Sequence, residues 1–270
     1  MKQRLLGLIA GLFMAATTVS PASAESIRLA VTTSFENSGL ADALLPAIKR
    51  DLGLTVELLV VGTGQALRLG QAGDVDAILV HSRAAEEEFV AAGHGTHRRE
   101  IMYNDFVFIG PADDPAGIQA SASAADALVR IHRAMPAFVS RGDDSGTHKK
   151  EVSLWRAAGL DPATFGPWYR AVGAGMGASL NTSAGLNAYI LADRASWLNF
   201  GNKASLDLLF AGDPVLFNQY AYLPVNPEKY DHVKYELAVE LEEWLVSISA
   251  KEIINNYQID GQTLFTFNAG

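Results

Sequence analysis

Apolar residues along this chain alternate between short unbroken runs and longer stretches spaced at helical intervals. Ile27-Arg28-Leu29-Ala30-Val31 reads as a strand, and Leu40 to Asp51 as a helix stopped by Gly53. Val56 to Val61 is a β-branched and leucine run, followed by Gly62-Thr63-Gly64 and a short helix to Gln71. Ala77–Val80 is the next strand and Ala84–Ala92 the next helix, ended by Gly93. Strands apolar on both faces, separated by helices, predict a mostly parallel sheet covered on both sides.

Past Phe106–Ile109, a predicted strand, the turn-rich segment Gly110–Pro115 suits a crossing between two units. A second α/β series follows, with helices over 124–133, 145–158 and 178–191 and strands over 137–140 and 195–198. Tyr220–Val225 reads as the return crossing. A single long helix is expected from His232 to Ser249, with Val233, Leu237, Leu241, Leu245 and Ile248 on one face. That helix is assigned to the first unit. The expected architecture is two α/β lobes, residues 25–110 with 222–270 and residues 111–221, joined by two crossings around a cleft.

Composition narrows the function. A chain of 270 residues with 49% hydrophobic side chains has ample core. Its 21 basic and 30 acidic residues give a net charge of −9, which argues against a nucleic-acid partner. There are no cysteines, so disulfide frameworks, thiolate metal sites and cysteine nucleophiles are excluded. Lys2 and Arg4, the apolar run Leu5–Ala16 and Ala22-Ser23-Ala24 form a secretory signal pattern with cleavage expected after Ala24. Loss of Lys2 and Arg4 from those 21 basic residues would take the net charge from −9 to −11. The expectation is an exported, periplasmic protein.

The candidate chemistry lies in turns that open helices. Val31-Thr32-Thr33-Ser34, Val61-Gly62-Thr63-Gly64-Gln65 and Val139-Ser140-Arg141-Gly142-Asp143-Asp144-Ser145-Gly146-Thr147-His148 share one design. Each is an apolar strand, then hydroxyls and glycines, then a helix start with free N–H donors. Such turns converging on one point make an oxyanion site without net positive charge. Each hydroxyl also suits a simple helix cap, and Arg141 could pair with Asp143 or Asp144 instead of a ligand. Arg141 is the sharpest candidate, because a guanidinium matches an oxyanion's geometry.

Enzyme signatures are weak. Gly142-Asp143-Asp144-Ser145-Gly146 has one residue too many for a nucleophile elbow, and Ser145 and His148 lack an acid to complete a triad. Gly173-Ala174-Gly175-Met176-Gly177 lacks dinucleotide-loop spacing, and His94 with His97 has no third ligand nearby. No metal cation or cofactor is expected.

Together, Thr32-Thr33-Ser34 with Ser38-Gly39-Leu40, Val61 through Leu67, Met102-Tyr103-Asn104-Asp105-Phe106 and Phe138 through Lys150 resemble the tungstate-binding component of bacterial ABC transporters. The likeness runs from Ile27 to Tyr189. It implies the two-lobed periplasmic-binding-protein fold of type II and a cleft holding tungstate, with molybdate as second candidate. It maps Thr33, Ser34, Thr63, Arg141 and Thr147 to ligand contacts, with Gly64, Ser145 and Gly146 in the same turns. Ala174 stands where a polar residue is expected. The implied partner is the transmembrane permease subunit, and the protein is expected to be a monomer. A phosphate- or sulfate-binding protein of the same fold is the alternative, and a secreted serine hydrolase a remote one. Asp143 and Asp144 discriminate. A carboxylate facing the cleft would favour protonated phosphate, whereas one that holds Arg141 or caps the helix favours an acceptor-only dianion.

Overall fold

A computed structural model describes residues 25–270; the expected signal peptide at 1–24 lies outside the described residues. The chain runs β1 (Ser26–Thr32), α1 (Thr33–Ser38), α2 (Leu40–Leu52), β2 (Thr55–Val61), α3 (Thr63–Ala72), β3 (Ala77–Val80) and α4 (Arg83–Ala91). The 13-residue β4 (Arg99–Pro111) follows, then α5 (Ala124–Ala134), β5 (Phe138–Ser140), α6 (Gly146–Ala157), β6 (Tyr169–Ala171) and α7 (Met176–Leu186). Then come β7 (Tyr189–Asp193), α8 (Arg194–Asn199), β8 (Leu206–Phe210) and β9 (Phe217–Pro224). The chain closes with α9 (Tyr235–Leu245), α10 (Ile248–Asn256) and the two-residue strands β10 (Gln258–Ile259), β11 (Gln262–Thr263) and β12 (Thr266–Phe267).

Two parallel sheets are spliced by long antiparallel strands. β2, β1 and β3 are parallel neighbours, as are β6, β5 and β7. β9 pairs antiparallel with β3 on one side and with β4 on the other. β4 serves both sheets: Arg99–Asp105 pair with β9, whereas Phe106–Ile109 pair with β7 and Phe108–Pro111 with β8. The change of partner therefore falls at Asp105–Phe106, upstream of Gly110–Pro111, because β4 continues as one strand through the crossing. β9 begins opposite that point, with Phe217 against Asp105.

Each sheet is covered on both faces, as strands apolar on both sides require. Ile27, Leu29 and Val31 face α2, α9 and α10, while Ala30 faces α3 and α4. In the second sheet Phe106 and Phe108 pack with α5 and α6, and Val107 and Ile109 with α7 and α8. Each such valine, leucine, isoleucine or phenylalanine, if fully buried, contributes about 1.5–3 kcal/mol. The C-terminal helices do belong to the first sheet's core.

Three expectations are corrected. Residues 195–198 are not a strand but the centre of α8, because Asp193 Oδ1 accepts the Ser196 N–H at 2.8 Å and caps a helix there. The helix expected over 178–191 stops at Leu186, where Asn187 turns left-handed (φ 49°) and frees Tyr189 to start β7. The single helix over 232–249 is two, since Ser247 is extended and its Oγ caps α10 through the Ala250 N–H. Ile248 consequently points to solvent, 76% exposed, instead of extending the apolar face of Leu241 and Leu245.

Candidate functional site

The C-terminal ends of the parallel strands deliver the candidate residues. β1 ends at Thr32 and opens α1 with Thr33 and Ser34; β2 leads through Gly62 into Thr63 and Gly64 at the start of α3. β5 ends at Ser140, and Arg141–Ser145 turn back into α6. Gly142 carries that turn at φ 60°, where an added Cβ would also meet Ala171 Cβ at 2.8 Å. Ligand sites in open α/β sheets lie at these strand ends, where helix N-termini present unpaired N–H groups.

Arg141 ties the two sets of turns together. Its side chain is 2% exposed. Nη2 donates to Thr33 Oγ1 at 3.1 Å and to Asp143 Oδ2 at 2.6 Å, and Nη1 donates to Thr147 Oγ1 at 3.4 Å. A second bridge joins the lobes where the Gly146 N–H donates to Thr63 Oγ1 at 3.0 Å. Gly146 is required by contact: an added Cβ would lie 2.8 Å from the His81 ring and 3.0 Å from Thr63 Oγ1. On the far side of Arg141, the Met176 N–H that opens α7 approaches Thr33 Oγ1 at 3.5 Å. Thr33, Thr63, Arg141, Gly146 and Thr147 thus meet in one buried region. Gly64 sits beside it, facing the Asp144 side chain.

The acidic pair of the loop is engaged with cations. Asp143 both holds Arg141 and accepts the Ser145 N–H at 3.3 Å through Oδ1. The ion pair considered for Arg141 is therefore present, but it occupies only one fork of the guanidinium; Nε has no partner. Asp144 points outward, paired with Lys149 and with Arg68 at 3.6 Å. Ser145 Oγ caps α6 by accepting the His148 N–H at 3.2 Å, while His148 Nδ1 accepts the Asp144 N–H. That capping role, with Ser145 1% exposed, is a helix start and not a nucleophile–base arrangement. Ala174 contributes its N–H to the Arg141 carbonyl at 3.2 Å.

Several buried polar groups here have no protein partner. Ser34 Oγ, Arg141 Nε, both ring nitrogens of His81 and Asp193 Oδ2 are all unpaired. A buried donor left unpaired costs about 1–3 kcal/mol, so such a concentration marks a place built to meet a polar ligand. Burial, aided by the Arg141 charge, pushes His81 down to about 3, so its imidazole is neutral at physiological pH. Burial raises Asp193 to about 6, against the opposing pull of its Ser196 contacts and Arg141. His81 and Asp193 went unnoticed in the sequence. Both end an apolar strand at a helix start, Val80-His81-Ser82 before α4 and Ala192-Asp193 before α8, but neither has the hydroxyl-and-glycine link that marks the other turns. His94 and His97 serve elsewhere, contacting Tyr230 and Glu242.

Known proteins resemble the chain over most or nearly all of its length. A model of the PBP superfamily domain matches residues 16–249. The tungstate-binding protein TupA of Peptoclostridium acidaminophilum is 42% identical over 99% of both chains, and that of Campylobacter jejuni is 34% identical over 87% of this chain and 88% of its own. A tungstate ABC transporter structure from Geobacter sulfurreducens superposes with a TM-score of 0.80 at 45% identity, covering 86% of this chain and 99% of that one. TupA of Desulfovibrio alaskensis superposes at 0.78 and 42% identity, covering 92% of this chain and 100% of that one. The chain belongs to the PBP superfamily and, within it, to the TupA family of solute-binding proteins.

Proposed function

We propose that this protein is the exported, periplasmic solute-binding component of an ABC uptake system, capturing tungstate between its lobes and delivering it to a transmembrane permease. The observation that carries the reading is Arg141: a buried guanidinium with a free Nε, surrounded by hydroxyls and helix-start amides from both sheets, its loop carboxylates already engaged. The ligand residues in this reading are Thr33, Ser34, Thr63, Gly64, Arg141, Ser145, Gly146 and Thr147. The lobes divide where β4 changes partner, giving 25–105 with 217–270 and 106–216. The protein acts as a monomeric binder, not an enzyme.

Tungstate at neutral pH is an unprotonated tetrahedral dianion, so its oxygens only accept hydrogen bonds. Arg141 supplies the charge, hydroxyls rotate their O–H toward the anion, and helix N-termini add fixed dipoles. Asp143 orients Arg141 without confronting the ligand. Hydrogen phosphate brings a proton that needs an acceptor, and the loop carboxylates Asp143 and Asp144 that would serve are already engaged with Arg141 and Lys149. Sulfate has shorter bonds to oxygen, so donors spaced for tungstate leave its oxygens short of partners at about 1–3 kcal/mol each. Molybdate, nearly the same size and equally unprotonated, is the serious competitor. Calorimetric titration with tungstate, molybdate, sulfate and phosphate tests the reading. Tungstate and molybdate should bind far more tightly than the other two, and sulfate displacing tungstate at comparable concentration would sink it.

A further inference from the structure

Two cavities of opposite charge open between the lobes. One is a cavity of about 570 Å³ between α4 and β9 of the first lobe and α6 of the second. Arg83, Lys149 and Lys150 line it against a single carboxylate, Glu88, with Phe217 at the rim. The other, about 380 Å³, lies between α1 and α2 on one side and α7 and α8 on the other; Glu36 and Asp42 are its charged lining residues.

The basic mouth leads inward to His81, which lines the cavity, is 6% exposed and has two unpartnered ring nitrogens. The same ring packs against Gly146, whose N–H bonds Thr63 Oγ1 beside Arg141. His81 is therefore the shared wall between the cavity and the proposed anion site. Two of the three cations have neighbours: Arg83 pairs with Glu87 at 2.7 Å and Glu100 at 3.5 Å, and Lys149 with Asp144. Lys150 has no ion-pair partner among the described residues, and burial lowers its ammonium against the opposing influence of Asp213. A half-buried ammonium without a carboxylate in contact stabilises an incoming anion more than a paired one does.

We infer that this basic cavity is the entrance and outer waiting site through which a tetrahedral oxyanion reaches Arg141, and that the acidic mouth does not admit it. The inference rests on the proposed function and deepens it. A net charge of −9, or −11 without Lys2 and Arg4, repels a dianion at long range. At physiological salt, screening over about 8 Å confines attraction to the charges lining a mouth. Local charge of this kind changes association rates by tenfold or more and leaves dissociation nearly untouched.

Stopped-flow tryptophan fluorescence with tungstate at low salt, using the full mature chain, tests it. Calorimetric affinity of the wild-type protein is measured first and reports on the function separately; absence of binding by any of the four oxyanions removes both readings. The double variant Arg83→Gln/Lys150→Gln should lose about three- to tenfold in association rate, with dissociation within about twofold and the difference closing as salt rises. Arg170→Gln/Lys251→Gln, which makes the same change in net charge elsewhere, should associate like the wild type. Equal slowing in both double variants, or none in the first, overturns the entrance. A comparable acceleration in Glu36→Gln/Asp42→Asn overturns the one-sidedness.

Discussion

At the scale of single residues, Arg141 must satisfy a fold and a ligand at once. Its bonds to Thr33, Thr147 and Asp143 are made within the protein, yet Nε remains free and the whole group is buried. Arg141→Ala should weaken oxyanion binding about ten- to a hundredfold, since a charge-assisted bond in a closed site is worth roughly 1.5–3 kcal/mol. The melting temperature should fall less, because Asp143 is partly solvent-accessible (side chain 15% exposed) and retains the Ser145 N–H. A variant that binds normally and melts much lower would make Arg141 a structural ion-pair residue only. The hydroxyl turns were legible because Thr33, Thr63 and Thr147 each follow an apolar strand through a short polar or glycine link. His81 and Asp193 were not, for opposite reasons. A lone histidine after Val80 has no chemical neighbour in sequence, and its meaning comes from Gly146, brought against it by the fold. Asp193 was hidden because the apolar Ala195–Leu198 looked like a strand and so concealed the helix that it caps.

At the scale of elements, β1, β2, β3 and the helices α2 and α3 could be read almost to the residue, whereas the six-residue α1 was not separated from the turn before α2. Continuous β-branched runs bounded by glycine have few other solutions in a parallel sheet. The reading failed where a run was short enough to suit either state, or where a single side chain cut a helix, as Ser247 does between α9 and α10. Helix α6 carries a cost that no pattern revealed. Glu151, three percent exposed, lies in the second lobe's core, where its Oε1 accepts Trp155 Nε1–H at 3.0 Å and the Tyr169 O–H at 2.7 Å. Burial pushes it up to about 7 from 4.5, against the lowering effect of its hydrogen-bond donors. The folded state thus holds this proton more tightly than the unfolded chain. Its contribution to stability is complete below pH 4.5 and is lost as pH rises through about 7. Glu151→Gln keeps an oxygen acceptor for both donors and removes the charge. Relative to the wild type it should gain on the order of 2–3 kcal/mol between pH 4.5 and pH 8, since each pKa unit is worth about 1.4 kcal/mol. Urea midpoints at the two pH values measure this, and an unchanged difference between the proteins would refute it.

At the scale of the whole molecule, two strands carry the connection between lobes and two sets of bridges carry the closure. β4 changes sheets at Asp105–Phe106 and β9 starts opposite it at Phe217, so rotation of one lobe on the other must bend the chain there. The pair is pinned from the side by Arg194, whose Nε and Nη2 grip Asp105 at 2.8 and 2.6 Å. Opposite the hinge, the lobes meet through Arg141–Thr33, Gly146–Thr63 and the exposed Arg68–Asp144 pair. The exposed Arg68–Asp144 pair is worth at most about 1 kcal/mol, and each of the two hydrogen bonds typically a net of about 0.5–1.5 kcal/mol. These few contacts therefore add only modestly to the closed arrangement. An oxyanion that touches donors from both lobes binds the closed form better, and it shifts the equilibrium by that difference in affinity. Small-angle scattering should accordingly give a smaller radius of gyration with saturating tungstate than without it. Gly146→Ala sharpens the test, because its Cβ would press on His81 and Thr63 at 2.8–3.0 Å and wedge the lobes apart from within the contact. That variant should stay expanded at tungstate concentrations that close the wild type and bind more weakly, while its isolated lobes keep their packing and their far-ultraviolet circular dichroism. Superimposable scattering from the wild type with and without the anion would mean that the lobes are held rigidly and that binding does not work by closure.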